Sequence, residues 1–371
     1  MSTDYGIRNT DYGYSMKQKT TIIIATLAVL CFLLSGCGDK TEIAMVTDIG
    51  TVMDGSFNES CFSGIAEYAM ENGRTFDYYQ PKSTEEKEYL KTIKKAVSGG
   101  AKVIVCCGEI FGDVVYEAQY KYPKVGFILI DAEPHNADYS HTTIEDNTMA
   151  ITFSDEEAGF LAGYAAVRDG YTSLGFLGGD TQEPVIRYGY GFVQGADYAA
   201  IELGTMINVK YCYGRTFEES EAMKDLAGSW YQEGTQVIFA CAGAMGRSVM
   251  RAAEENGGSV IGVDVDQSGD SDTVITSALK ELKNAAYLGL SCFYDDKYMF
   301  GDALLMNASN DGVGLPMDTS RFRNFSDGEY NAIYTQLVDG KLTPYAGTDF
   351  GNTFDLSLVN TTVTYLELKE N

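Results

Sequence analysis

Segment 48–59 concentrates groups that can do chemistry: Asp48, Gly50, Asp54, Gly55, Ser56, Phe57 and Asn58 share one short turn. Carboxylates accept hydrogen bonds, an amide both donates and accepts, and a phenyl ring offers a flat apolar face. A helix start capped by Ser56 or Asp54 accounts for Gly55 and Ser56. It leaves Phe57 beside Asn58 unexplained, although Phe57 alone would suit a hydrophobic staple. A second candidate is Cys241-Ala242-Gly243-Ala244-Met245-Gly246, followed by Asp264. It approaches the dinucleotide-binding fingerprint, but a cysteine stands in the place of the first glycine. Asp264, Asp266, Asp270 and Asp272 suggest calcium, yet position twelve of an EF-hand count from Asp264 is Ile275 instead of Glu. His135 and His141 are the only histidines, which excludes a histidine-rich metal site, and both read as ordinary surface residues. No catalytic residue, metal or cofactor is expected.

The balance of charge narrows the partners. A formal net charge of -26 argues against nucleic acid, whose binding depends on clustered cations. Run 22–34 is apolar, follows Lys17 and Lys19, and is short for a membrane span. Leu34-Ser35-Gly36-Cys37 comes next and resembles the bacterial lipoprotein signal, in which the cysteine is acylated. The expectation is a signal peptide over 1–36, with Met16 an alternative start, then lipidated Cys37 and a tether over 37–41. That places the body on the extracytoplasmic face of a cell membrane, held by lipid. Six cysteines remain in it: Cys61, Cys106, Cys107, Cys212, Cys241 and Cys292. Several lie in apolar runs, which favours free thiols, with disulfides as the alternative.

Short apolar runs alternate with amphipathic ones. Strands are expected over 43–47, 75–79, 102–106, 125–130, 173–177, 208–212, 236–240 and 259–263. Helices are expected over 57–71, 85–98, 155–168, 192–203, 217–231, 247–255 and 282–294, and Ser326 with Glu329 forms a capping box. This alternation implies an α/β fold with parallel sheets covered on both faces. The pattern comes in two blocks, assigned to lobe 1 (42–146 plus about 277–312) and lobe 2 (147–276 plus about 313–371). Runs 273–278 and 361–368 are left to cross between them.

Asp48, Gly50, Asp54, Ser56, Phe57 and Asn58 together resemble the opening motif of the basic membrane protein family of bacterial lipoproteins, which includes purine nucleoside receptors of ABC transporters. Phe127-Ile128-Leu129-Ile130-Asp131, Glu157-Ala158-Gly159-Phe160-Leu161-Ala162-Gly163, Val237-Ile238-Phe239 running into Gly243, Ile261-Gly262-Val263-Asp264-Val265-Asp266-Gln267 and Thr276-Ser277-Ala278-Leu279-Lys280 follow in the family's order. The resemblance implies a type I periplasmic-binding-protein fold: two Rossmann-like lobes, joined by crossing strands, that close on a ligand. It implies that Asp48, Phe57, Asn58 and Asp131 hold a base, with Phe57 stacked on it. It puts Phe217, Gly243, Asp264 and Lys280 nearer the ribose. A carboxylate-rich pocket repels phosphate, so nucleosides are expected to bind and nucleotides are not.

The function so implied is a monomeric, lipid-anchored solute-binding protein without catalytic activity, which passes purine nucleosides to the permease of an ABC importer. Two alternatives stand beside it. One is an enzyme acting on nucleosides or dinucleotides, supported by the turn at Gly243; the other is a surface receptor or sensor that keeps the fold.

Overall fold

The computed structural model describes residues 41–295, 299–347 and 356–368, so the expected signal peptide and Cys37 lie outside the described residues. Two parallel sheets carry the architecture. The first is built from β1 (Ile43–Val46), β2 (Phe76–Tyr79), β3 (Val103–Cys107), β4 (Gly126–Ile130), β5 (Thr148–Phe153) and β11 (Asp302–Met306), in the order β11-β5-β4-β3-β1-β2. Every residue of β1, β3 and β4 is buried, as expected of parallel strands covered on both faces. Side chains alternate between the faces, so Ile43 and Met45 join one core cluster while Ala44 and Val46 join another.

The second sheet contains β6 (Ser173–Gly178), β7 (Ile207–Tyr213), β8 (Val237–Cys241), β9 (Ser259–Asp264), β10 (Val274–Lys280), β12 (Val313–Gly314) and β13 (Thr361–Tyr365). Its order is β12-β10-β9-β8-β6-β7-β13, and only the β10 to β12 pairing is antiparallel. Strand pairing puts β5 in the first sheet, although the sequence reading opened lobe 2 at 147, and β10 in the second. Neither of the runs left to cross does so. β10 is interior to its sheet, and β13 is an edge strand beside β7. The chain passes between the lobes just after β5, just after β10, and between β11 and β12.

Helices follow the strands. In lobe 1 these are α1 (Phe57–Glu71), α2 (Glu86–Gly99) and α3 (Gly112–Lys121). The crossings exchange the next two. α4 (Asp155–Arg168) leaves β5 and packs in lobe 2 on α5 (Glu183–Leu203), whereas α6 (Glu221–Gln232) and α7 (Gly246–Asn256) stay with their own strands. α8 (Leu282–Tyr294) leaves β10 and packs back on α1, and α9 (Asp327–Val338) carries the expected capping box of Ser326 and Glu329.

Glycines set the closest of these contacts. A Cβ at Gly163 of α4 would run into the Phe192 carbonyl, and one at Gly195 of α5 into the Phe160 carbonyl. Two further glycines, Gly189 and Gly191, disguise the start of α5, which begins at Glu183 with Pro184 in its first turn and not near 192. Likewise α6 begins only at Glu221, because the Ser220 hydroxyl accepts the Met223 N–H and caps it there. That leaves Phe217 in a loop.

The two lobes repeat one another at their strand ends. β3 runs into a 3₁₀ turn at Glu109–Phe111 and then a helix at Gly112; β8 runs into one at Gly243–Met245 and a helix at Gly246. All six cysteines of the body are buried, and Cys61, Cys106, Cys107, Cys212 and Cys241 are free thiols.

Candidate functional site

The loop after β1 is organised by two carboxylates. Asp54 caps α1: its Oδ1 accepts the N–H groups of Ser56 (2.8 Å) and Glu59 (3.1 Å). Its Oδ2 accepts the Asn58 N–H (3.0 Å) and one hydrogen of the Asn58 side-chain amide (3.0 Å). The other amide hydrogen goes to Asp48 Oδ1 at 2.9 Å, which also accepts the Gly50 N–H at 2.6 Å. Asn58 has therefore no hydrogen left to donate. Its Oδ1 is buried without a partner, so the group expected to donate and accept is an acceptor alone. Burial raises the Asp48 carboxyl above its usual range, against the hydrogen bonds from Asn58 and Gly50.

Asp131 directly follows β4 and Asp264 ends β9, equivalent strands of the two sheets. Both adopt left-handed backbone conformations, with φ of 73° and 66°. Such geometry is uncommon for a residue with a side chain and clusters at functional sites. Between the lobes stands Lys280, whose Nζ donates to both Asp131 oxygens at 2.8 Å and lies 2.9 Å from Asp155 Oδ1. Burial alone would lower the Lys280 ammonium, but Asp131, Asp155 and Asp264 together hold it above its ordinary value. Burial also pushes the Asp131 carboxyl up to about 7, against the pull of Lys280, and Asp264 up to about 6. The ammonium lies 5.2 Å from the centre of the Tyr188 ring and 5.8 Å from that of Phe57, within cation–π range. Lys280 was expected beside a ribose, in a separate group from Asp131; the fold joins the two across the lobes.

The opposite wall comes from lobe 2. Phe217 packs between Gly179 and Gly243, and its carbonyl accepts the Met245 N–H at 2.8 Å. Gly243 has φ of 53°, which glycine adopts without strain. At the rim, Arg247 of α7 reaches across to lobe 1 and donates to the Asp54 carbonyl at 2.7 Å.

These groups enclose a cavity of about 280 Å³ at the carboxyl ends of both sheets, where open parallel sheets bind ligands. Asp48, Phe57, Asn58, Asp131, Phe217, Gly243, Asp264 and Lys280 all line it. So do Asp54, Glu109 and Glu218, which gives six carboxylates against one cation.

Several lining residues escaped the sequence reading, among them Tyr89, Tyr188 and Gln182. Asp155, which holds Lys280, opens the helix expected over 155–168 and was not among the expected site residues. The expectation for His135 was wrong. It is buried, stacks on Tyr139 at 3.8 Å, and its Nδ1 lies 2.9 Å from the Asn136 carbonyl oxygen. His141 is exposed. Among the described residues no cluster of His, Cys, Asp and Glu is arranged to hold a metal ion.

Two parallel α/β lobes, three crossings and a cavity between strand ends define a type I periplasmic binding protein. Solved structures agree on the fold: a solute-binding protein of an ABC transporter system from Aeropyrum pernix K1 superposes with a TM-score of 0.72. It is 19% identical and covers 83% of this chain and 94% of its own. A second, from Conexibacter woesei, has a TM-score of 0.64, is 19% identical and covers 82% of this chain and 98% of its own. A profile of the family described as ABC transporter substrate-binding protein PnrA-like matches residues 41–339. The chain belongs to that family, whose members bind a solute and work with the permease components of an ABC transporter, and which is not a class of enzymes. Among relatives, the ABC transporter nucleoside-binding protein BmpA of Lactococcus lactis is 28% identical over 88% of this chain and 99% of its own. Basic membrane protein A1 of Borrelia garinii is 30% identical over 76% of this chain and 83% of its own.

Proposed function

We propose that this protein is a lipid-anchored, extracytoplasmic receptor that binds purine nucleosides and presents them, as a monomer, to an ABC importer. The observation that carries this reading is the cavity itself, with Phe57 and Phe217 supplied from the two lobes among a surplus of hydrogen-bond acceptors. A purine needs a flat apolar face and partners for its N–H groups; ribose hydroxyls pair well with carboxylates. In this reading Asp48, Phe57, Asn58 and Asp131 serve the base, and Phe217, Gly243, Asp264 and Lys280 serve the sugar. The nucleoside-binding name of the lactococcal relative supports the ligand class.

The test is calorimetric titration with adenosine, guanosine, inosine, uridine and cytidine, and with the 5′-monophosphate of each purine that binds. A purine nucleoside should bind, and its monophosphate should bind roughly 100-fold more weakly, because a dianionic phosphate meets the carboxylates. Equal affinity for both, or binding of none, would defeat the proposal. The anchor is tested separately. Cys37→Ser should release the protein from membranes into a detergent-free wash with ligand binding intact, and a variant that stays membrane-bound would refute the lipid anchor.

A further inference from the structure

Three side-chain atoms on the lobe 1 wall of the cavity are buried and lack any hydrogen-bond partner: Ser56 Oγ, Asn58 Oδ1 and Tyr89 Oη. Their residues are 4%, 1% and 1% exposed. Buried polar atoms are nearly always paired, so three orphans on one wall require an explanation. Ser56 precedes α1, where a serine ordinarily caps, but its hydroxyl makes no cap bond because Asp54 has taken those N–H groups. Tyr89 stands on α2 with its ring edge-on to Phe111 at 5.1 Å, which fixes its position. Burial, and then the charge of Asp48, push the Tyr89 hydroxyl up to about 12, so it stays protonated and able to donate at neutral pH. Asn58 can only accept.

We propose that Ser56 and Tyr89 are ligand contacts that form, with Asn58, a polar wall reading a ligand edge that carries an acceptor beside a donor. The Tyr89 hydroxyl donates to the ligand's acceptor, Asn58 Oδ1 accepts from its donor, and Ser56 serves either. Both the amide-like edge of an oxopurine and a sugar hydroxyl have this chemistry. The assignment rests on the nucleoside reading above and adds two residues to it.

The experiment compares the parent with Tyr89→Phe and Ser56→Ala, by inosine titration and by ligand-free melting. Tyr89→Phe removes one hydroxyl and keeps the ring, so inosine affinity should fall roughly tenfold. The ligand-free Tm should hold or rise, because the lost hydroxyl had no partner to lose. Ser56→Ala should reduce affinity about threefold. An equal loss with 2′-deoxyinosine assigns the Tyr89 contact to the base edge; a loss confined to inosine assigns it to the 2′-hydroxyl. Affinities within twofold of the parent for both variants would overturn the proposal, as would a lower Tm with unchanged affinity. Failure of the parent to bind any nucleoside would overturn the nucleoside reading and this assignment together, whereas parent-like binding by the variants would overturn this assignment alone.

Discussion

Lys280→Met is expected to lower stability at pH 7.5 by about 3–5 kcal/mol, the usual penalty for removing one partner of a buried ion pair. Methionine keeps the length of the chain, so the change isolates the charge. The Lys280 and Asp155 side chains are each 2% exposed and Asp131 8%, which leaves little water to screen the carboxylates once the ammonium is gone. For a protein of this size the loss reads as a fall in Tm of roughly 5–15 °C. The deficit should also depend on pH. Burial already raises Asp131 to about 7 and Asp264 to about 6, so between the unfolded carboxylate range and neutrality the native state binds more protons than the unfolded one. Stability from these two groups is then full in acid and lost as pH rises through 6 to 7. Without Lys280, which holds both values down, the slope steepens and the variant should recover much of its deficit at pH 5. A Tm within 2 °C of the parent at pH 7.5 would show that the cluster is not the buried ion network described above.

The sequence reading fared best where one element answers to one local rule. The bounds of α1, α4 and α8 follow from apolar period and first-turn chemistry, and they were legible to the residue. β5 was not, although β3 and β4 are at least as buried and were expected from their apolar runs, so burial alone does not hide a strand. α5 lost its first turns to Gly189 and Gly191, whose low helix propensity hides a helix that packs closely on α4. The candidate site was legible as a set of strand-end loops rich in carboxylates, because polar groups at those points have no packing role. What escaped was pairing. Asp131 and Lys280 stand 149 positions apart, and only the crossings between lobes bring them together. One signal was available: the strand-turn-glycine pattern ending at Gly112 recurs at Gly246, and it would have revealed the equivalence of β4 and β9 and so of Asp131 and Asp264.

That equivalence sharpens the expected result for Asp131→Asn, which should weaken purine nucleoside binding by roughly 30- to 1,000-fold, or about 2–4 kcal/mol, and leave the fold intact. The fold is expected to survive although Asp131 is buried and bound to Lys280. The amide keeps the volume and one oxygen to accept from Lys280, which limits the loss in the ligand-free protein. Lys280 keeps Asp155 at 2.9 Å, and Asp264 remains close enough to act on it. Binding has no such reserve. The carboxylate can accept from Lys280 and from a ligand N–H at once through different lone pairs, whereas the amide must give one position to an NH₂ group. That group faces either the ammonium or the ligand donor, and both contacts are repulsive. Nucleoside titration beside a melting curve separates the two effects. Affinity within threefold of the parent, at an unchanged Tm, would remove Asp131 from the ligand site and leave it as the lobe 1 anchor of Lys280 alone.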